Sequence, residues 1–146
     1  MPPFVFRLEQ VRLYRKQLEE QAMQALAQAV TARDATRARI ELLLDDIAEQ
    51  RERLCRAEAL TPGELWLTRE YEAALKRDLV HLRAMLAEQE NEVERLRLEL
   101  VQKAQDRNLL DSLKEKQAMR HALQERQKEQ QIHDETATLR YKHAAV

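Results

Sequence analysis

Apolar residues at the start of the chain recur in steps that alternate four and three. They are Phe4, Leu8, Val11, Leu18, Ala22, Ala25, Ala29, Ala32 and Thr36, with Arg15 standing where an apolar residue is due. Such alternation puts one side chain per half-heptad on a single helical seam and predicts a coiled-coil strand. Around Thr36 two successive steps of four appear, so Ile40, Leu43, Ile47 and Leu54 continue the stripe in a shifted phase, which predicts a locally relaxed supercoil. Alanines between Ala22 and Ala38 favour helix but bury little area each, so the helices are expected to lie close and hold weakly there.

The sequence Leu60-Thr61-Pro62-Gly63-Glu64 interrupts this arm. Thr61 suits an N-cap, Pro62 a first helical position, and Glu64 can complete a capping box. A second arm follows with Leu65, Leu75, Leu79, Leu82, Leu86, Val93, Leu96 and Leu100. A phase shift is then expected across Ala104 to Asn108, ahead of Leu109, Leu110 and Leu113. The predicted fold is all-α, a long antiparallel two-stranded coiled coil forming one helical hairpin over 1–146, with helix 1 about 4–59, a turn near 60–64 and helix 2 about 62–141. Folding back at Thr61 sets residue i near residue 123 − i, which brings Leu43 to Val80, and Val11 to Ser112 and Leu113. Helix 1 would run about 55 residues, roughly 80 Å, and the second arm some 25 residues further. That overhang, about 120–146, carries only Leu123, Ile132, Leu139 and Tyr141 as scattered larger apolar or aromatic residues, and is expected to be either a lone helix or a frayed tail.

Composition sharpens the picture in two ways. Charged residues make up 35% and aromatics 4%, too little bulk for a rounded core, so an elongated fold is expected. One Gly and three Pro leave two long stretches without a strong helix breaker and disfavour a β-rich fold. The 25 basic and 26 acidic side chains are mixed along the whole length, which predicts neither nucleic acid nor an anionic membrane as partner. The lone Cys55 reads as a small apolar filler in a reducing compartment. Neither a signal-like N-terminus nor a membrane-spanning apolar run is evident, so a cytoplasmic protein is expected.

Catalytic chemistry has no foothold in this pattern. A single glycine, Gly63, cannot build a phosphate loop, and no nucleotide-binding motif occurs. His81, His121, His133 and His143 never stand four apart, and with one cysteine they predict no metal site. Acidic pairs such as Asp45-Asp46 and Asp134-Glu135 read as solvated faces, because two helices enclose no cleft to perturb them. No catalytic residue, cofactor or small-molecule substrate is therefore expected. Leu65, Trp66 and Leu67 at the tip cannot all face one seam. Either a short extra helix covers them, or Trp66 is exposed for recognition.

The opening Phe4-Val5-Phe6-Arg7-Leu8-Glu9-Gln10-Val11, with Tyr14-Arg15 and Leu18-Glu19-Glu20-Gln21-Ala22, resembles the start of the flagellar export protein family FliJ. Leu109-Leu110-Asp111-Ser112-Leu113-Lys114-Glu115 and Glu129-Gln130-Gln131-Ile132-His133-Asp134-Glu135 are similar to two later elements of that family. The resemblance covers nearly the whole chain, on degenerate coiled-coil motifs. It implies a non-enzymatic component of the type III export apparatus, shaped like the stalk of rotary ATPases. Such a component binds the hexameric export ATPase ring, promotes its assembly, links it to the membrane export gate and takes part in cycling export chaperones. Carried onto this chain, the ring contact would fall on Phe4, Leu8, Val11, Leu109, Leu113 and Lys114, with the tail to Tyr141, at the cytoplasmic face of the membrane. The gate contact would lie along the exposed face of the hairpin, and the alanine-rich stretch would soften the stalk. Two other readings compete: the equivalent stalk of a virulence-type secretion system, and a prefoldin-like holdase that grips clients at Leu65, Trp66 and Leu67.

Overall fold

The computed structural model describes residues 2–57 and 59–145. Two helices make up the fold, α1 (Glu9–Arg56) and α2 (Pro62–Ala144), and no strand occurs among the described residues. They pack against each other as an antiparallel helical hairpin. Their contacts fall into two compact units, each holding part of both helices: Glu20–Val101, and Met1–Glu19 with Gln102–Val146.

The turn forms as its residues dictate. The Glu64 amide donates to Thr61 Oγ1 at 3.2 Å, and the Thr61 amide donates back to a Glu64 carboxylate oxygen at 3.3 Å, a complete capping box with Pro62 opening the helix. Arg53 and Arg56 in the last turn of α1 oppose its negative end. Thr61→Ala is expected to lower hairpin stability by about 1 kcal/mol, read as a shift in the thermal unfolding midpoint.

Unit Glu20–Val101 contains the apolar core. Ile40, Ile47, Leu75 and Leu79 are buried together, with Leu43, Leu82 and Leu86 packed against them, and Val93 is buried to 1% exposure. Along α1 the buried and half-buried positions include Ala22, Leu26, Ala29, Arg33, Thr36, Ile40, Leu43, Ile47, Gln50 and Leu54, an alternation of four and three, with Ala25 and Val30 half-buried beside it. The phase shift expected at Thr36 is therefore absent. Arg33, not Ala32, occupies the seam, because the stem of a long cationic side chain can cover apolar surface while its charge stays in water. Thr36 is buried and its hydroxyl donates to the Ala32 carbonyl at 3.2 Å, so a polar residue sits in the seam without an orphaned donor. On α2, Gln89 keeps one buried side-chain oxygen without a hydrogen-bond partner.

The predicted register holds to within about one helical turn. Arg51 pairs with Glu72 at 3.3 Å, numbers that add to 123, and Thr36 and Arg37 meet Met85 and Glu90 close to the same rule. Val80, however, is 69% exposed, and Leu43 packs against the buried cluster of Ile40, Ile47, Leu75 and Leu79 instead. Register fixes which residues are level; heptad phase decides which of them face inward.

Three boundaries differ from expectation. α1 begins at Glu9 rather than near Phe4 and ends at Arg56 rather than about 59, and α2 continues to Ala144 rather than about 141. Residues 2–8 are not helical; Phe6 is buried to 5% exposure while the half-buried Phe4 ring lies 5.7 Å from that of His121. In a helix residues two apart point to nearly opposite sides, whereas a more extended chain can turn both inward. Covering two phenylalanines thus competes with another turn of helix. The C-terminal stretch is helical, as one of the two expected alternatives had it, and its side chains are exposed from Arg126 to Ala145.

Candidate interaction surfaces

The unit made of Met1–Glu19 and Gln102–Val146 is built on different chemistry. Its inward positions on α2 are Lys103, Arg107, Leu110, Lys114, Gln117 and His121, again in steps of four and three. The shift expected across Ala104 to Asn108 does not occur, because the phase is kept by charged residues that an apolar pattern passes over. On α1 the corresponding positions are Arg12, Arg15 and Glu19, flanked by the half-buried Leu18.

These charges pair across the helices. Glu9 meets Lys114 at 2.9 Å, Arg12 meets Asp111 at 3.3 Å, and Arg107 pairs with Glu19 while holding Asp111 at 2.6 Å. Arg15 donates to the Asp106 carbonyl at 3.1 Å, and Arg12 also holds Glu9 at 2.6 Å. A continuous network therefore runs Lys114–Glu9–Arg12–Asp111–Arg107–Glu19. The hydrogen bonds from Arg12 and Lys114 hold the Glu9 carboxyl down at about 2, against an ordinary 4.5, and Glu9 and Asp111 hold the Arg12 guanidinium firmly protonated.

Glu9 therefore strengthens this unit fully above its unfolded value, and that contribution fades as pH falls from 4.5 toward 2. Acidification through that window neutralises the carboxylate that links Arg12 on α1 to Lys114 on α2. Glu9→Gln is expected to flatten the acid-side loss of order in residues 9–19, checked by amide exchange between pH 5 and pH 2.5.

Charged seam positions have a consequence for the large apolar residues nearby: they face outward. Leu109 is 67% exposed, Leu8 and Val11 both 40%, and Leu113 36%. Of the six residues expected to form a ring contact, these four are open to solvent, Phe4 is half-buried against His121, and Lys114 is engaged with Glu9. Further along α2 the outward face presents Met119 and Leu123 in a shallow groove rimmed by Lys116, Arg120 and Arg126. The sequence reading does not find Phe6 or the Arg12–Asp111–Arg107–Glu19 network, although opposite charges at positions adding to 123 signal its Arg12–Asp111 pair.

At the tip, Trp66 and Leu67 are each 64% exposed and Leu65 is half-buried. Leu60 and Tyr71 extend this apolar cluster. No additional helix covers it among the described residues. Cys55 is exposed, which corrects its reading as a packed filler: it lies one residue, about 100° around the helix, beyond the seam residue Leu54. Among the described residues no group of three or more His, Cys, Asp or Glu could hold a metal ion, and no helix is long and apolar enough to cross a membrane.

These features define a helical-hairpin protein whose distinctive chemistry lies in a charged seam and on outer faces. Within that class the chain belongs to the FliJ family: the family model described as flagellar FliJ protein matches residues 4–145. It is thereby a flagellar export component, of a family that is non-catalytic. Comparison with curated proteins and with solved structures found no significant match.

Proposed function

We propose that this protein is a non-enzymatic stalk of the flagellar export apparatus, which binds the hexameric export ATPase ring through the unit containing both termini and promotes assembly of that ring. The observation that supports this reading is the outward placement of Leu8, Val11, Leu109 and Leu113 beside a seam already closed by ion pairs. Large apolar side chains on both helices are left for a partner to cover, while the charges that align the helices are occupied with each other. The remaining exposed faces serve contact with the membrane export gate, and export chaperones engage the C-terminal helix. The protein works in the cytoplasm, held at the membrane through these partners.

The test mixes the purified protein with the cognate flagellar ATPase and measures hexamer assembly and ATP turnover. Acceleration of both is expected; no effect on either refutes the stalk. A virulence-type stalk would instead act on the ATPase of that system, and the family match supports the flagellar one. The exposed tip favours a second reading, a holdase gripping clients at Leu65, Trp66 and Leu67. It requires suppression of client aggregation that Trp66→Ser abolishes.

A further inference from the structure

We propose that the charged seam between α1 and α2 in the unit of Met1–Glu19 and Gln102–Val146 is a salt-labile clasp, which opens while the apolar unit Glu20–Val101 stays zipped. Three interhelical links close the clasp, Glu9–Lys114, Arg12–Asp111 and Glu19–Arg107, together with the Arg15 bond to a backbone carbonyl. Their side chains remain 15–37% exposed, so counterions reach them and screen them. Large apolar residues with less than a tenth of their surface exposed are few in this unit, Phe6 and Leu110.

Glu20–Val101 also carries two interhelical ion pairs, Arg37–Glu90 and Arg51–Glu72, but they flank the Ile40, Ile47, Leu75 and Leu79 cluster, whose attraction does not depend on charge. One hairpin thus holds two seams with different sensitivities, the condition for separate opening units. Opening uncovers Phe6 and Leu110 next to the already exposed Leu8, Val11 and Leu109, enlarging the apolar surface of this end. Regulation of ring contact by that enlargement rests on the stalk reading; the clasp itself does not.

Hydrogen exchange of the full-length protein tests it without any partner. Raising NaCl from about 0.05 to 0.5 M shortens the screening length from about 14 to 4 Å and is expected to speed exchange in residues 9–19 and 103–118 at least about fivefold. Residues 40–47 and 75–96 should change less than about twofold under the same shift. Equal responses in the two units, or none, overturn the clasp. In a Glu19→Leu/Arg107→Leu double variant the salt response of residues 9–19 should fall by half or more, and a response of full size contradicts the proposal. Failure of the ATPase experiment leaves all of these outcomes unaltered.

Discussion

Val93→Asp is expected to unfold the Glu20–Val101 unit at temperatures where the unmodified protein is fully helical, whereas Val80→Asp should leave the melting curve nearly unchanged. Both substitutions put the same carboxylate for the same side chain on the same helix. Val93 is 1% exposed and Val80 is 69% exposed, so only the first confines a charge between helices. An uncompensated buried charge costs about 3–5 kcal/mol, a large share of the roughly 5–15 kcal/mol that holds an ordinary domain together. A solvent-facing change typically stays within about 0.5 kcal/mol. The measurement is thermal unfolding followed by circular dichroism. Equal destabilisation by the two variants would contradict the heptad phase of α2 described here. Leu79→Ala provides a milder control, about 2–5 kcal/mol, because it removes packing without adding charge.

The same pair of valines shows what the sequence made legible. The turn was readable because Thr61, Pro62 and Glu64 carry local instructions that no distant contact needs to supply, and their hydrogen bonds form as expected. Once the turn is placed, register follows by counting, and Arg51–Glu72 meets where counting puts it. Phase was harder. Following apolar residues from Leu8 and Val11 leads to Ala32, one position short of Arg33, and forces an apparent shift at Thr36 that the helix does not make. On α2 the attraction of Leu109 and Leu113 produces the same error, since Arg107, Leu110 and Lys114 are the inward positions. A hydrophobic pattern locates a seam only where the seam is hydrophobic. Where it is charged, the informative signal is complementarity between two distant segments, such as Glu9 with Lys114 or Arg12 with Asp111, and that signal becomes visible only after the turn has been placed.

Phe6 was missed for a related reason. Extending the helix back to Phe4 assumes that helical periodicity governs both phenylalanines, yet they are two residues apart and both lose exposure only if the helix has not begun. Local propensity alone does not register this competition between a helical turn and a covered aromatic pair. Trp66, by contrast, is exposed, with no helix among the described residues folded over it.

Outward-facing leucines beside a charged seam lead to the second large effect, on binding. Leu109→Asp is expected to lower affinity for the export ATPase by about 30-fold or more, the loss of roughly 2 kcal/mol typical when an interface anchor is removed, while the hairpin stays folded. Folding is spared because Leu109 is 67% exposed and makes no part of either seam. Its neighbour Leu110 is 7% exposed, so Leu110→Asp should instead disorder residues 102–118 and lose binding indirectly. Val11→Asp and Leu113→Asp fall between, being 40% and 36% exposed on the two helices. Affinity is measured by titration against the ATPase and helicity by circular dichroism on the same samples. Leu109→Asp that binds normally removes α2's outward face from the ring contact. Loss of binding in Leu109→Asp with retained helicity, and loss of both in Leu110→Asp, would show that the ring grips side chains released by the charged seam.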